Sequence, residues 1–305
     1  AIDILEEVAL VQISPSTDEE TMMGLLEGTV GIVVRGEGKA TARMIDAAED
    51  LAVLGRPGVG YDSVDVEAAT ARKIPLVYAP IGGFAVAEGA LALLLTLVKK
   101  IPLCDEIVKS GEWQRRYEAK TGDMADHTLG IIGLGRIGRY LARLVTPFGM
   151  TILGSDPYVE PGALSEEGIE VVSLDELLKR SDYISTHTPL NDETRGFINR
   201  DFVAKIKRGA ILINTSRGNV VESLDVVAEA LESGQLSGLG LDVFPDEPPD
   251  SDHRIFRDAR CVCAPHLVGV SEAAMDRMFR SMAKDMVSVL QGRRPEFCVN
   301  PEVLE

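Results

Sequence analysis

The chain has 305 residues, too many for a single small module, and this length fits either one large α/β unit or two domains. Hydrophobic residues make up 45% and charged residues 26%, which excludes a predominantly disordered chain and predicts a substantial core. A formal net charge of -17, with a sequence pI near 4.7, argues against binding to nucleic-acid phosphates or to anionic membrane surfaces.

The first part of the chain alternates short β-branched runs with helical segments, which is the pattern of parallel strands covered by helices. Thr17 and Glu20 form a capping box that predicts the start of a helix running to Leu26. We predict further helices over residues 41–49 and 64–72, and strands over residues 8–13, 30–34, 51–54 and 76–78.

A long helical stretch is predicted next, over residues 85–110. Its longest apolar run, residues 85–98, contains Glu88 and is followed by Lys99 and Lys100, so it is too short to span a bilayer. Residues 1–7 have neither a basic start nor a small-residue cleavage site, so we expect no signal peptide.

A second series of strands and helices follows this stretch, without any tandem repeat. The predicted helices cover residues 137–148, 224–232 and 271–291, and the predicted strands cover residues 128–132, 151–154, 183–186, 210–214, 238–242 and 261–263. Two doubly wound parallel sheets joined by long helices are the fold that this order of elements predicts.

The four cysteines, at positions 104, 261, 263 and 298, are too few and too scattered for a disulfide-built scaffold, which favours a reducing, cytoplasmic setting. Cys261 and Cys263 alternate along one predicted strand, so both side chains are expected on the same face. They form either a metal pair or, as we favour, two buried small hydrophobic residues. The four histidines include no pair at zinc-site spacing, and we predict no metal.

The strongest single motif comes directly after an apolar strand and opens a helix: Gly133, Leu134, Gly135, Arg136, Ile137 and Gly138. The first glycine permits a tight turn, the second lets the backbone approach a pyrophosphate, and the third allows close packing of helix on strand. The helix N-terminus offers free N–H groups and a partial positive charge to phosphates. These features predict a dinucleotide site.

Asp156 ends the next strand, where such a site requires an acidic residue. Its carboxylate would accept hydrogen bonds from ribose hydroxyls and repel a 2′-phosphate, so NAD is favoured over NADP. The alternative is a glycine-rich packing turn with a capping aspartate.

Three polar residues follow strands or lie in loops of the second half: Arg217, Glu247 and His266. Taken with residues 133–138 and 241–244, they resemble the D-isomer-specific 2-hydroxyacid dehydrogenases. Residues 55–62 and 187–190 bring the likeness closest to the phosphoglycerate dehydrogenase branch, and the motifs occur in the family's order over nearly the whole chain. The resemblance implies a Rossmann NAD-binding domain and a flavodoxin-like substrate domain.

The chemistry of that family requires these residue types. A planar guanidinium such as Arg217 can hold the carboxylate and polarise the carbonyl of a 2-oxo acid. His266 can give a proton to the carbonyl oxygen or, when neutral, take one from the hydroxyl, and Glu247 would orient the ring and favour its charged form. Taken singly, each residue has an alternative role. Arg217 could form only a surface salt bridge, Glu247 could be a solvated loop carboxylate, and His266 could be a loop histidine with its hydrogen bonds made within the protein.

The resemblance also implies the remaining contacts. Asp242 would take the nicotinamide carboxamide unless it is only a strand-end cap, and the amides of Gly58, Val59 and Gly60 would bind the substrate carboxylate unless that loop is only a turn. His187 ends a strand and is expected to pack there, whereas His127 and His253 are expected in loops. Further cofactor contacts are expected from Thr188, Pro189, Thr215 and Ser216.

The sequence departs from the family in the loop over residues 80–89, which is about one residue shorter and has Gly89 where the family has histidine. This change puts the identity of the substrate in doubt. Arg56 matches a phosphate-contacting arginine, and Arg115 and Arg116 follow Trp113 near where basic residues could reach a partner subunit's site. A phosphorylated or polycarboxylate substrate is therefore a hypothesis.

We therefore predict a substrate-binding domain over residues 1–95 and 276–305 and an NAD-binding domain over residues 96–275. The expected activity is NAD-dependent interconversion of a small anionic D-2-hydroxy acid and its 2-oxo acid, with 3-phosphoglycerate as one candidate substrate. Alternatives are a glyoxylate or hydroxypyruvate reductase, or a non-catalytic NAD-sensing corepressor module. By resemblance we expect a homodimer, a missing strand before Ala1 and no regulatory domain after Asn300.

Overall fold

The computed structural model describes residues 1–305 and divides into two compact units. The first consists of Ala1–Gly83 and Val270–Glu305, and the second of Phe84–Gly269. The domain boundaries predicted from the sequence, after residues 95 and 275, lie further along the chain than the boundaries in the structure, after Gly83 and Gly269. The first would cut through a helix whose residues Ala90 and Leu94 pack with Leu129 in a core of the second unit.

The first unit is built on a three-stranded parallel sheet of β1 (Gly31–Val33), β2 (Val53–Arg56) and β3 (Leu76–Tyr78), in that order. Ile32, Leu54 and Leu76 lie side by side across the sheet and are buried. The strands follow chain order, so double winding is confined to the other unit. The helices of this unit are α1 (Ile2–Leu5), α2 (Glu19–Met23), α3 (Ala42–Ala47), α4 (Val66–Ala71) and α11 (Glu272–Leu290).

Two predictions for this unit are wrong. Residues 8–13 form no strand, because Leu10 and Ile13 are exposed to solvent and so gain nothing from the burial that stabilises a strand. The N-cap of α2 is Asp18, whose carboxylate accepts from the Thr21 backbone N–H at 3.0 Å, instead of the predicted Thr17. A carboxylate is as good an N-cap as a hydroxyl, and it stands one residue closer to the helix.

The second unit is a seven-stranded parallel sheet with helices on both faces, as predicted for an α/β fold. Strand order reverses between β4 and β7, which is the position where doubly wound folds bind ligands. In the order β10-β9-β8-β7-β4-β5-β6, the strands are β4 (Thr128–Ile132), β5 (Thr151–Ser155), β6 (Glu170–Val171), β7 (Tyr183–Thr186), β8 (Ala210–Asn214), β9 (Leu236–Leu241) and β10 (Cys261–Cys263).

The two faces of this sheet carry separate hydrophobic cores. Leu212 of β8 points into one core, and its neighbours Ile211 and Ile213 point into the other, as alternation along a strand requires. The helices are α5 (Gly83–Val98), α6 (Ile101–Lys109), α7 (Arg136–Val145), α8 (Leu174–Arg180), α9 (Arg200–Lys205) and α10 (Leu224–Glu232).

The single helix predicted over residues 85–110 is two helices, because Lys100 adopts a left-handed backbone conformation with φ of 49°. Pro102 then lies in the first turn of α6, where its missing N–H costs nothing. No helix of the structure has both the length and the apolar character that crossing a membrane requires.

Candidate active site

The three glycines of the motif, two in the turn between β4 and α7 and one in the first turn of α7, have different environments. Gly133 has φ of 93°, and a Cβ there would lie 2.7 Å from the His187 carbonyl oxygen. A Cβ on Gly138 would lie 2.2 Å from the Gly133 carbonyl oxygen, so both positions are closed by packing. A Cβ on Gly135 would meet nothing within 4 Å. The open position is therefore the one that faces the helix N-terminus.

Asp156 is fixed beside this turn. One carboxylate oxygen accepts from the Leu134 N–H at 2.8 Å, and the other accepts from the Tyr158 N–H at 2.9 Å. The capping role considered for Asp156 is thus present, and it does not exclude ribose binding, because each carboxylate oxygen can accept a second hydrogen bond.

Buried hydroxyls without a partner mark the neighbouring strand ends. Thr188, after β7, and Thr215, after β8, each bury Oγ1 without a hydrogen bond. Such groups are uncommon in folded proteins, because an unpaired buried polar atom costs roughly 1–3 kcal/mol. Both residues are among the predicted cofactor contacts, so these hydroxyls fit partners that a bound dinucleotide would supply.

His187 lies at the same strand end. Its Nε2 is 2.9 Å from Ser185 Oγ, its Nδ1 is buried, and burial lowers the pKa of this histidine to about 4. The ring is therefore neutral near pH 7, which agrees with the packing role expected from the sequence.

Asn214 organises the turn that carries Arg217, a role that the sequence reasoning missed. Its buried side-chain oxygen accepts from the Ser216 N–H at 3.0 Å and Ser216 Oγ at 2.7 Å. Its side-chain nitrogen donates to the Arg217 carbonyl at 3.0 Å. A polar residue ending the apolar strand β8 was the available signal.

Glu247 and His266 are in direct contact, with Glu247 Oε2 2.8 Å from His266 Nδ1. The other carboxylate oxygen of Glu247 accepts from the Phe244 N–H at 3.0 Å, so the carboxylate is held from two sides. An ionised carboxylate only accepts hydrogen bonds, and this contact therefore assigns the proton to Nδ1 and leaves Nε2 to exchange protons with a ligand. His266 itself has φ of 57°, a conformation that non-glycine residues adopt mainly where function or tight packing requires it.

The loops of Arg217 and Glu247 are packed together. A Cβ on Gly218 would lie 1.8 Å from the Phe244 carbonyl oxygen, and Asn219 Nδ2 donates to the Pro245 carbonyl at 3.0 Å. The structure thus brings the surroundings of Arg217, Glu247 and His266 into one connected set of loops.

Asp242 has a contact that the sequence reasoning did not foresee. Its buried carboxylate accepts from the Leu267 N–H at 2.9 Å and the Val268 N–H at 3.2 Å, directly after His266. Burial raises the pKa of Asp242, and these two hydrogen bonds offset part of that shift. The strand-end cap considered for Asp242 is therefore present, whereas its contact with nicotinamide stays a prediction.

Gly89 lies inside α5, where a Cβ would be 2.3 Å from Val268 Cβ. Gly269 packs equally closely against the same helix, because a Cβ on Gly269 would be 2.5 Å from a Val86 methyl group. The departure from the family pattern at Gly89 thus lets the segment after His266 lie directly against α5.

The predicted substrate loop belongs to the first unit. Gly58 has φ of 115°, which requires glycine, and Arg56 Nε donates to the Gly60 carbonyl at 3.0 Å. Arg56 Nη1 also donates to the Val34 carbonyl at 3.1 Å. Arg56 therefore holds this loop in place, and its contact with a substrate phosphate stays a prediction.

The Arg115 guanidinium is engaged by three carboxylates of its own segment, those of Glu106, Glu112 and Glu118. Its reach to a partner subunit's site stays a prediction. Arg116 stacks over the Tyr117 ring, with 4.3 Å from the guanidinium carbon to the ring centroid.

A sequence model of the "D-isomer specific 2-hydroxyacid dehydrogenase, NAD binding domain" matches residues 91–268. The chain belongs to the D-isomer specific 2-hydroxyacid dehydrogenase family. The matched segment contains the glycine turn, Asp156 and the loops of Arg217, Glu247 and His266. NAD is the cofactor of this family member, and the open position at Gly135 and the unpartnered hydroxyls of Thr188 and Thr215 fit it.

Individual family members are similar over most of the chain. D-3-phosphoglycerate dehydrogenase of Methanocaldococcus jannaschii is 37% identical over 302 residues, which are 98% of this chain and 57% of that protein. A glyoxylate reductase from Paecilomyes thermophila has a TM-score of 0.89 at 27% identity, covering 98% of this chain and 94% of the other. D-lactate dehydrogenase from Aquifex aeolicus, crystallised with NAD and lactic acid, has a TM-score of 0.86 at 29% identity, covering 98% and 95%. The chain spans about half the length of the curated relatives that it matches.

Proposed function

We propose that the protein catalyses NAD-dependent interconversion of a small D-2-hydroxy acid and its 2-oxo acid. The observation that carries this proposal is the contact between Glu247 and His266 at 2.8 Å, with Nδ1 protonated and Nε2 directed away from the carboxylate. The bound nicotinamide supplies the hydride acceptor or donor. What the protein must add is proton exchange at the substrate oxygen and binding of the substrate carboxylate.

His266 supplies the proton exchange. When the ring is charged, its Nε2–H donates to the carbonyl oxygen, and when the ring is neutral, Nε2 accepts the hydroxyl proton in the reverse direction. Glu247 stabilises the charged ring and keeps it in one orientation, because its carboxylate is itself held by the Phe244 N–H.

Arg217 binds the carboxylate and polarises the carbonyl of the substrate. Asn214 fixes the backbone of Arg217, so the guanidinium starts from a defined position. The N–H groups of Arg136 and Ile137 at the start of α7 would face the pyrophosphate. Asp156 would take the ribose, and Thr188, Pro189, Thr215, Ser216 and Asp242 would line the rest of the cofactor.

The test is oxidation of NADH, followed by its absorbance, with a panel of 2-oxo acids: glyoxylate, pyruvate, hydroxypyruvate, phosphohydroxypyruvate, oxaloacetate and 2-oxoglutarate. We expect at least one to be reduced, and His266→Asn to abolish that turnover while NADH binding is kept. NADH binding without oxidation by any 2-oxo acid would favour the NAD-sensing module instead.

For the substrate we propose two candidates from the panel, phosphohydroxypyruvate and the glyoxylate or hydroxypyruvate type. Arg56 distinguishes them through the difference between its effects on KM for phosphohydroxypyruvate and for hydroxypyruvate, because only the phosphorylated substrate calls for an additional cation, whereas loss of the loop contacts of Arg56 is common to both. With phosphohydroxypyruvate we expect Arg56→Glu to raise KM at least about tenfold, the loss of one charged hydrogen bond, and Arg56→Lys to raise it less. An unchanged KM in Arg56→Glu would reject the phosphate contact.

We propose that the protein works in a reducing, cytoplasmic setting.

We also propose a homodimer formed through the surface of α6 and the turn that follows it. Four large apolar side chains are more than half exposed there: Ile101, Val108, Trp113 and Tyr117. Such a patch favours a protein partner over water. Analytical ultracentrifugation should give twice the 32.9 kDa of one chain, and Val108→Glu with Tyr117→Glu should give the monomer.

A further inference from the structure

Cys261 and Cys263 form a pair of thiols on β10, the edge strand of the seven-stranded sheet. Their sulfur atoms lie 3.5 Å apart on one face of the strand, as the alternation predicted. The prediction that both are buried is wrong, because Cys261 is half-buried and Cys263 is exposed. Cys263 is the last residue of β10, and its side chain is the more exposed of the two.

We propose that Cys261 and Cys263 are a redox-reactive dithiol that a hydroperoxide converts reversibly into an intramolecular disulfide. This site is separate from the proposed catalysis, which uses neither thiol. Neither sulfur belongs to a group of three or more metal-ligating side chains, so the structure favours oxidation of the pair over metal binding.

The backbone spacing permits the bond. Two residues along a strand are about 6.6 Å apart at Cα, and disulfides occur up to a Cα separation of about 6.8 Å. The sulfur atoms, at 3.5 Å, must approach by roughly 1.5 Å to reach a bond length near 2.05 Å. Rotation of both side chains with a small adjustment of an edge strand supplies such a movement. A disulfide formed near this limit is strained and therefore easily reduced.

The pair also supplies the reactive form of the thiol. The hydrogen bond between the two sulfurs lowers the pKa of Cys263 and raises that of Cys261, with burial adding to the rise at Cys261. The exposed sulfur is therefore the one favoured as thiolate, and the thiolate is the nucleophile in thiol chemistry.

The reaction balances as a two-electron oxidation. The Cys263 thiolate attacks the terminal oxygen of the hydroperoxide, the O–O bond breaks, and the alkoxide or hydroxide leaves and takes up a proton. This gives a sulfenic acid on Cys263. The Cys261 sulfur then attacks that sulfur, the S–O bond breaks, and water leaves with the Cys261 proton. The two sulfurs lose two electrons, and the peroxide gains them.

The two other cysteines are internal controls. Cys104 and Cys298 are half-buried single thiols, and burial raises the pKa of Cys298. Cys104 Sγ donates to the Lys99 carbonyl at 3.8 Å. Neither has a second thiol as hydrogen-bond partner, so neither is expected to form an intramolecular disulfide.

The experiment treats the full chain with hydrogen peroxide at low molar excess, blocks remaining thiols and digests with trypsin. Residues 261–277 form one tryptic peptide that contains both cysteines and no others. We expect this peptide to lose about 2 Da, the two thiol hydrogens, and to regain them with dithiothreitol. The variant with Cys104→Ser and Cys298→Ser should behave identically.

Cys261→Ser and Cys263→Ser should each show no such loss, and Cys261→Ser should gain one oxygen on Cys263 that a dimedone probe captures. Addition of oxygen to Cys261 or Cys263 in the wild-type peptide, distinguished by fragmentation from oxidation of Met275, without the loss of hydrogens would overturn the proposal. So would a linkage of either cysteine to Cys104 or Cys298. Because the readout is a peptide mass, failure of the proposed dehydrogenase activity would leave this result unaffected.

Discussion

At the level of single residues, Glu247 and His266 lie 2.8 Å apart and are held there by contacts from other loops. The hydrogen bond from the Phe244 N–H, the left-handed backbone of His266 and the two N–H groups on Asp242 all depend on loop conformation. No local sequence pattern determines such a conformation, because it arises from packing between segments distant along the chain.

Replacing His266 with Ala should lower kcat by roughly two to four orders of magnitude, the usual contribution of a general acid or base. Glu247→Gln should lower kcat less, because it keeps a hydrogen-bond acceptor but loses the charge that stabilises the charged ring. Steady-state kinetics with the best 2-oxo acid, at saturating NADH, measures both. Near wild-type turnover in His266→Ala would reject this role.

Asp156→Ala should weaken NAD binding and reduce the preference of the protein for NAD over NADP by about tenfold or more, the value of one charged hydrogen bond. Part of any loss of NAD affinity would come from the missing hydrogen bond to the Leu134 N–H, which the Asp156 carboxylate also accepts. Asp156→Asn separates the two effects, since it retains an acceptor and removes only the charge. Binding constants for both cofactors by calorimetry provide the measurement, and an unchanged preference in both variants would show that another group reads the ribose.

His187 should remain mostly neutral down to about pH 5, because burial disfavours its charged form and lowers its pKa to about 4. The unfolded state binds a proton near pH 6.5, so stability present at pH 7 is lost as the pH falls from about 6.5 to about 4, by ~3 kcal/mol. An NMR titration of the imidazole carbon-bound protons tests this, with His187→Asn to assign the signal. A midpoint near 6.5 would contradict the burial of this ring.

At the level of elements, periodicity and apolar runs located five of the strands to the residue. β3, β4, β7, β8 and β10 begin and end where predicted. Two of the failures share one cause, because strand propensity is a local property and burial is not. Residues 8–13 have a strand-like composition but no neighbouring strand to pair with. β6 was not predicted, because it has only two residues and no apolar run.

Gly89→Ala should damage the active site from within a helix. Alanine is the better helix former by about 1 kcal/mol, yet its Cβ would lie 2.3 Å from Val268 Cβ, so α5 or the segment after His266 must move. We expect stability to fall by about 1–3 kcal/mol and kcat to fall about tenfold, the effect of a small displacement near the chemistry. Thermal unfolding and kinetics test the two effects.

Ala92→Gly in the same helix is the matched control, since residue 92 is exposed and the change weakens only helix propensity. It should lower stability by about 1 kcal/mol without changing kcat. A kcat for Gly89→Ala equal to that of the control would show that Val268 adjusts without disturbing His266.

For the whole molecule, the net charge of -17 does not predict the charge of the substrate, because an anion is bound by local groups such as Arg217 and not by the average charge. The division into units was harder to locate from the sequence. The continuous apolar run of α5 hides the boundary at Gly83, where the chain passes from one core to the next without a composition change.

The second unit is continuous in sequence, contains both of its hydrophobic cores and holds every predicted NAD contact. Residues 84–269 produced alone should therefore fold and bind NADH with a dissociation constant within about threefold of the full chain, a difference below 1 kcal/mol. Gly135→Val in this segment fills the open position of the glycine turn and should abolish binding without unfolding it. Circular dichroism and fluorescence titration provide the readouts, and a folded segment that does not bind NADH would show that residues outside it are needed to hold the cofactor.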